Sequence, residues 1–128
     1  MVNRNAKILV VDDDPDTRHL LSEVLEGEGY RVVAASGAEE ALAAGKEAPF
    51  EVILSDIRLG PDLSGLDVLR AFKSIQPDSE VILITAFGSM ETAIEAVKAG
   101  AFDYLSKPFK IDDVLNRVRR ALESRKLR

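Results

Sequence analysis

The sequence predicts an α/β fold of the flavodoxin-like kind: a doubly wound sheet of five parallel strands in order 2-1-3-4-5, with five helices spread over both faces. Three observations carry this reading. Five short apolar or β-branched runs alternate with five stretches of helical periodicity. The runs Ile8–Val11 and Val81–Ile84 are apolar without alternation, as strands buried on both faces require. Right-handed crossovers then leave few topologies, of which 2-1-3-4-5 is a common one.

Taken in order, strand 1 is Ile8–Val11, and Asp14 followed by Pro15 fits the cap and first position of helix 1, with Asp16 in its favourable first turn. Leu20, Leu21, Val24 and Leu25 share one face of that helix, which Gly27 and Gly29 end. Strand 2 is Arg31–Ala35. Ser36 and Glu39 then read as a capping box ahead of Ala41 and Leu42 in helix 2. Strand 3 covers Val52–Leu54. Helix 3 carries Leu66, Leu69, Ala71 and Phe72 and closes before Pro77. Strand 4 is Val81–Ile84, and helix 4 after it carries Met90, Ala93, Ile94 and Val97 as core positions and ends at Gly100. Tyr104–Leu105 is strand 5, and Ile111, Val114, Leu115, Val118 and Leu122 form the apolar stripe of helix 5. Asp112 and Asp113 favour that helix's positive end. Its basic continuation to residue 128 reads as a solvated face running into a linker, with a dimer-forming or output-coupling surface as the alternative.

Composition restricts the function. A chain of 128 residues is one domain's length, with 46% apolar and 30% charged residues, ordinary for a soluble globular protein. No apolar run approaches the roughly 18–20 residues of a membrane span, and the start lacks a signal-peptide pattern. The absence of cysteine rules out disulfides and thiolate metal sites and suits the cytoplasm. A net charge of −5 argues against direct nucleic-acid binding.

In such sheets the ligand site lies beyond the carboxyl ends of the strands, where the strand order reverses. Strand 1 runs into Asp12 and Asp13, strand 3 into Asp56, strand 4 into Thr85 and strand 5 into Lys107 before Pro108. Three carboxylates therefore meet at one rim. Two such charges ~4 Å apart repel by roughly 4 kcal/mol at an effective dielectric of ~20. That repulsion calls for raised pKa values or a cation, and hard oxygen donors suit Mg²⁺, with Mn²⁺ as the alternative. With Lys107 the pocket is suited to receive an anion through a metal, phosphate being the natural candidate. Neither GxxxxGK[ST] nor GxGxxG follows strand 1, and acids there would repel a nucleotide's phosphates. They make better sense if one carboxylate is the nucleophile that forms an aspartyl phosphate.

The segments VVDDD, VILSDIRLG, VILITAFG and DYLSKPF, in this order and spacing, resemble the receiver domain of two-component response regulators, from about Lys7 to about Leu122. AFGSMETAIEAVKAGAFDYLSKPF further resembles receivers of the nitrogen-regulator class of transcription activators (sigma-54 activators). The resemblance implies that Asp56 is phosphorylated by a sensor histidine kinase or phosphotransfer protein, by in-line attack on a phosphohistidine. It implies Mg²⁺ held by Asp13, Asp56 and the backbone carbonyl of Arg58, with Asp12 acting through water. Thr85 would hydrogen-bond the phosphoryl group, Lys107 would pair with its oxygens across a cis Lys107–Pro108 bond, and Tyr104 would turn inward as Thr85 moves. The readout would be the surface of helix 4, strand 5 and helix 5, coupled to an output domain and open to homodimerisation on phosphorylation. Such a protein is a switch and not a turnover enzyme. Residues 1–6 are then an extension, 7–122 the receiver, and 123–128 the end of helix 5 or the start of a linker to an output domain outside this sequence.

One departure stands out. The family writes D-x-x-M-P-x-x-x-G after its phosphorylated aspartate, whereas DIRLGPDLSG places Gly65 one residue later, an insertion between Leu59 and Ser64 that leaves the start of helix 3 open. That insertion is the one support for a pseudo-receiver, an interaction module independent of phosphorylation. A phosphatase of the haloacid dehalogenase type expects a second Asp two residues after the nucleophile, where Arg58 stands. His19 reads as a surface residue, and Asp62 and Asp67 as solvated loop and helix positions, with a place near the metal as the alternative for Asp62 that the insertion opens. Arg58 and Phe87, each two residues beyond a site residue, would overlook the phosphoryl group and slow its hydrolysis.

Overall fold

The computed structural model describes residues 5–59, 64–86 and 90–126. Ten elements alternate: β1 (Lys7–Val11), α1 (Pro15–Gly27), β2 (Arg31–Ala35), α2 (Ala38–Glu47), β3 (Val52–Asp56), α3 (Gly65–Ile75), β4 (Glu80–Ala86), α4 (Met90–Lys98), β5 (Asp103–Lys107) and α5 (Ile111–Lys126). The strands pair in parallel in the order β2-β1-β3-β4-β5, as the sequence predicts.

The continuous apolar runs follow from burial on both faces. Ile8, Val10, Val52, Leu54, Ile82 and Ile84 pack with Leu21 and Leu25 of α1 and Val114, Val118 and Leu122 of α5. The intervening residues Leu9, Val11, Ile53, Val81 and Leu83 face the other way, onto Ala41 of α2, Val68, Leu69 and Phe72 of α3 and Ala96 of α4. Alternate side chains of one strand point to opposite faces, so a central strand between two helical layers has no polar side to show.

The helix ends follow local chemistry, with one exception. Asp14 caps α1, accepting from the Asp16 N–H, with Pro15 in the first turn. Gly29 and Gly100, at φ +94° and +103°, take the left-handed conformation after α1 and α4, where a side chain would be strained. The expected Ser36–Glu39 box is not formed. Gly37 caps α2, and Glu40, three residues after it, accepts from the Ser36 N–H at 2.8 Å. The capping box lies instead on α3, where Ser64 and Asp67 bond reciprocally, so Asp67 is a structural cap and not merely a solvated acid.

Three predicted core positions turn outward. Leu20 is 45% exposed, and Ile94 and Val97 are 49% and 57% exposed. Among the described side chains of α4 the buried one is Ala96, with Ala99 and Ala101 partly buried against the same core, so small residues seat this segment on the sheet while Ile94 and Val97 face solvent. The side chains of Met90 and Ala93, and all of Asp62 and Phe87, lie outside the described residues.

Candidate functional site

Parallel pairing brings the carboxyl ends of β1, β3, β4 and β5 to one rim. Val11 pairs with Ser55, Asp56 with Ile84, Thr85 with Ser106, and Ala86 with Lys107. The next residue of β1, Asp12, keeps its N–H bonded to the Ala35 carbonyl at 3.1 Å and lies fully inside the molecule. Asp56 and Thr85 are also buried, whereas Asp13 is exposed.

The three predicted acids converge: Asp12, Asp13 and Asp56 each offer a carboxylate oxygen within 4.8 Å of the others. Lys107 reaches across the rim, its Nζ 2.7 Å from Asp56 Oδ2 and 3.9 Å from Asp12 Oδ2. The other Asp56 oxygen, Oδ1, accepts from the Arg58 N–H at 3.0 Å, which places the Arg58 backbone at the pocket edge. Asp12 Oδ1 accepts from the Asp14 N–H at 2.9 Å, but Asp12 Oδ2 is buried with no hydrogen-bond partner among the described residues.

Burial raises the Asp12 carboxyl above its ordinary value; the hydrogen bond from Asp14 opposes this and the neighbouring Asp56 charge adds to it. Burial works against a charged Lys107, but its hydrogen bond to Asp56 and the charges of Asp56, Asp12 and Asp13 outweigh that and hold the ammonium above its usual range. Among the described residues, Lys107 is thus the cation that pairs with these carboxylates. An all-oxygen donor set in which one buried oxygen lacks a partner fits a hard divalent cation.

The insertion does not displace this arrangement. An isolated antiparallel bridge joins Arg58 to Ser64, closing the loop at its base. Gly65 opens α3 with its N–H on the Ile57 carbonyl at 2.8 Å. A Cβ at Gly65 would lie 2.5 Å from the Asp56 carbonyl oxygen, so only glycine fits against the strand that carries the acid. The start of α3 is thus fixed against the strand that carries Asp56.

Tyr104 is 37% exposed on β5, and Lys107–Pro108 is cis, as the resemblance implies. His19 is exposed on α1, with Nε2 3.0 Å from Glu23 Oε1. Two features escaped the sequence reading: the Ser64–Asp67 cap, which an S-x-x-D pattern ahead of an apolar run signals, and Arg18, whose Nη1 donates to the Asp12 carbonyl at 2.8 Å.

Residues 8–119 match the family described as response regulator receiver domain. The transcriptional regulatory protein ZraR of Salmonella typhimurium is 39% identical over 122 residues, covering 95% of this chain and 27% of that protein. The nitrogen assimilation regulatory protein NtrX of Azorhizobium caulinodans is 41% identical over 122 residues, covering 94% and 27%. Among solved structures, a response regulator receiver domain protein from Clostridium thermocellum superposes with a TM-score of 0.89 at 38% identity, covering 95% of this chain and 98% of that one. The chain thus spans about a quarter of the length of the curated relatives it matches.

Proposed function

The chain belongs to the response regulator receiver domain family, and from that premise we propose that it is a phospho-accepting switch whose acceptor is Asp56. The observation that carries this is the pairing of Asp56 with Lys107 at 2.7 Å inside a group of three acids, one of which holds a buried oxygen without a hydrogen-bond partner among the described residues. A carboxylate with a fixed cation beside it is arranged to accept a phosphoryl group and hold the product.

In the proposed reaction an Asp56 oxygen attacks the phosphorus of a phosphohistidine. An O–P bond forms, the N–P bond breaks, and its electron pair leaves with the imidazole of the sensor kinase or phosphotransfer protein. Lys107 turns from the carboxylate to the phosphoryl oxygens, and the Thr85 hydroxyl donates to another. Asp13, Asp56 and the Arg58 carbonyl would hold Mg²⁺ or Mn²⁺ directly, and Asp12 through water. When bound, the cation neutralises charge developing on the phosphoryl oxygens. As Thr85 moves toward the phosphate, Tyr104 turns inward, and the surface of α4, β5 and α5 changes for an output domain or a second copy. Residues 7–122 act as the receiver, 1–6 precede it and 123–128 lead on from α5. The protein works in the cytoplasm as a regulator, self-phosphorylating and slowly self-dephosphorylating without steady turnover. No described helix is long and apolar enough to cross a membrane.

The alternative, an interaction module independent of phosphorylation, has only the insertion in its support, while Gly65 packed on the Asp56 backbone supports an acceptor strand kept in place beside it. The test is intact mass after incubation with acetyl phosphate and Mg²⁺. A gain of about 80 Da that chelator prevents and Asp56→Asn abolishes is expected. An unchanged mass, or an adduct that survives Asp56→Asn, would overturn the proposal.

A further inference from the structure

We propose that Arg18 is a positioning residue for the divalent-cation site, an inference that rests on the phospho-accepting reading of the rim. Arg18 lies one turn into α1, with its N–H on the Asp14 carbonyl at 3.0 Å and its own carbonyl accepting from Ser22 Oγ at 2.8 Å. Helical side chains lean toward the helix N-terminus, and this half-buried one folds back to the exit of β1. There Nη1 donates to the Asp12 carbonyl at 2.8 Å.

That carbonyl belongs to the peptide joining Asp12 to Asp13. The preceding peptide is held by the Asp12 N–H on Ala35. The guanidinium therefore fixes the one peptide plane that sets where Asp13 leaves the chain and how Asp12 presents its carboxylate. No hydrogen bond among the described residues orients the Asp13 carboxylate itself, so its direction depends on the backbone that Arg18 holds. Outer partners that orient metal ligands commonly change metal affinity by roughly 10–100-fold.

The sign of the effect separates positioning from charge. A guanidinium beside a cation site repels the cation, so losing its charge alone strengthens binding. Losing its hydrogen bond weakens binding.

Titrating the metal-free protein with Mn²⁺, with free Mn²⁺ followed by electron paramagnetic resonance, reads this without any phosphorylation. Arg18→Met is expected to bind Mn²⁺ about tenfold more weakly than wild type. Arg18→Lys, which keeps the charge and one donor, should fall between, about threefold weaker. Thermal melts without metal should place both variants within a few degrees of wild type. If Arg18→Met does not fold, Arg18→Lys decides alone. Affinity in the folded variants equal to or tighter than wild type overturns the inference while the reading of the rim stands. Wild type binding Mn²⁺ no better than Asp13→Ala overturns both.

Discussion

At the amino end of the strands Glu80 is nearly as buried as Asp12 is at the carboxyl end, 2% against 0% exposed, yet their surroundings differ. Glu80 has the Lys73 ammonium at 3.5 Å, and Lys73 also donates to the Ser79 carbonyl at 2.8 Å. Nearby, Gln76 bonds the Phe50 N–H and the carbonyls of Gly45 and Ala48, tying α3 to the end of α2. The Glu51 carboxylate takes the Lys7 N–H at 2.7 Å. Polar groups at this end are matched to one another and hold elements together. At the other end Lys107 pairs with Asp56 at 2.7 Å and only distantly with Asp12 at 3.9 Å, Asp13 adds a third acid nearby, and the Asp12 oxygen facing Lys107 has no hydrogen-bond partner among the described residues. Acids in excess of cations are a cost in the folded protein that a bound cation would relieve, which marks that end for function.

The comparison breaks most severely if the matched end is unmatched. Lys73→Met removes one cationic partner of a buried carboxylate and its bond to the Ser79 carbonyl, and should cost about 3 kcal/mol in urea unfolding, with acetyl-phosphate labelling of the folded fraction unchanged. A cost near zero would show that Glu80 does not depend on Lys73.

A smaller loss is expected at the junction of fold and site. Gly65→Ala drives a Cβ to within 2.5 Å of the Asp56 carbonyl oxygen. Backbone cannot yield as a flexible side chain can, so about 2 kcal/mol of stability should be lost, together with slower labelling of Asp56. Normal labelling at full stability would mean that α3 moves freely against β3.

The smallest effect falls on Asp14, which belongs to the acidic run but serves the helix. A hydrogen bond from the Thr17 hydroxyl, more than those from the Asp16 and Thr17 N–H groups, holds its carboxyl below the usual value of 3.8. A depressed folded pKa means that its contribution is present above 3.8 and is lost as pH falls through the folded value. Asp14→Ala should therefore lower Tm by a few degrees at neutral pH, match wild type at strongly acidic pH, and leave phosphorylation intact. Melting curves over pH check the first two points and intact mass the third.

Most of the sheet was legible because burial on both faces leaves an unbroken apolar run, and parallel pairing places each strand's exit at one rim. Asp12, Asp13, Asp56 and Lys107 could thus be brought together from position alone. Helix 4 was not legible in the same way. Periodicity marks an apolar stripe but cannot say whether Ala96 or the larger Ile94 and Val97 face the sheet, and the small residue won. The cap of α2 was misread because Gly37, which offers no side chain, took the place of Ser36. Arg18 gave no signal, since a long side chain bonding a carbonyl six residues back follows no helical or strand period.

Asp12 provides the most direct test of the difference between the two ends. Its folded pKa is raised, so its stabilising contribution is present below the usual value of 3.8 and is lost as pH rises through the folded value. At neutral pH the charged carboxylate is therefore a cost to the metal-free protein. Melting wild type and Asp12→Asn with and without Mg²⁺ at pH 7 measures this. The variant should melt above wild type without metal, while Mg²⁺ raises wild type and moves the variant little. A variant that melts below wild type without metal would contradict the account, because Asp12 would then be a structural acid of the same kind as Glu80.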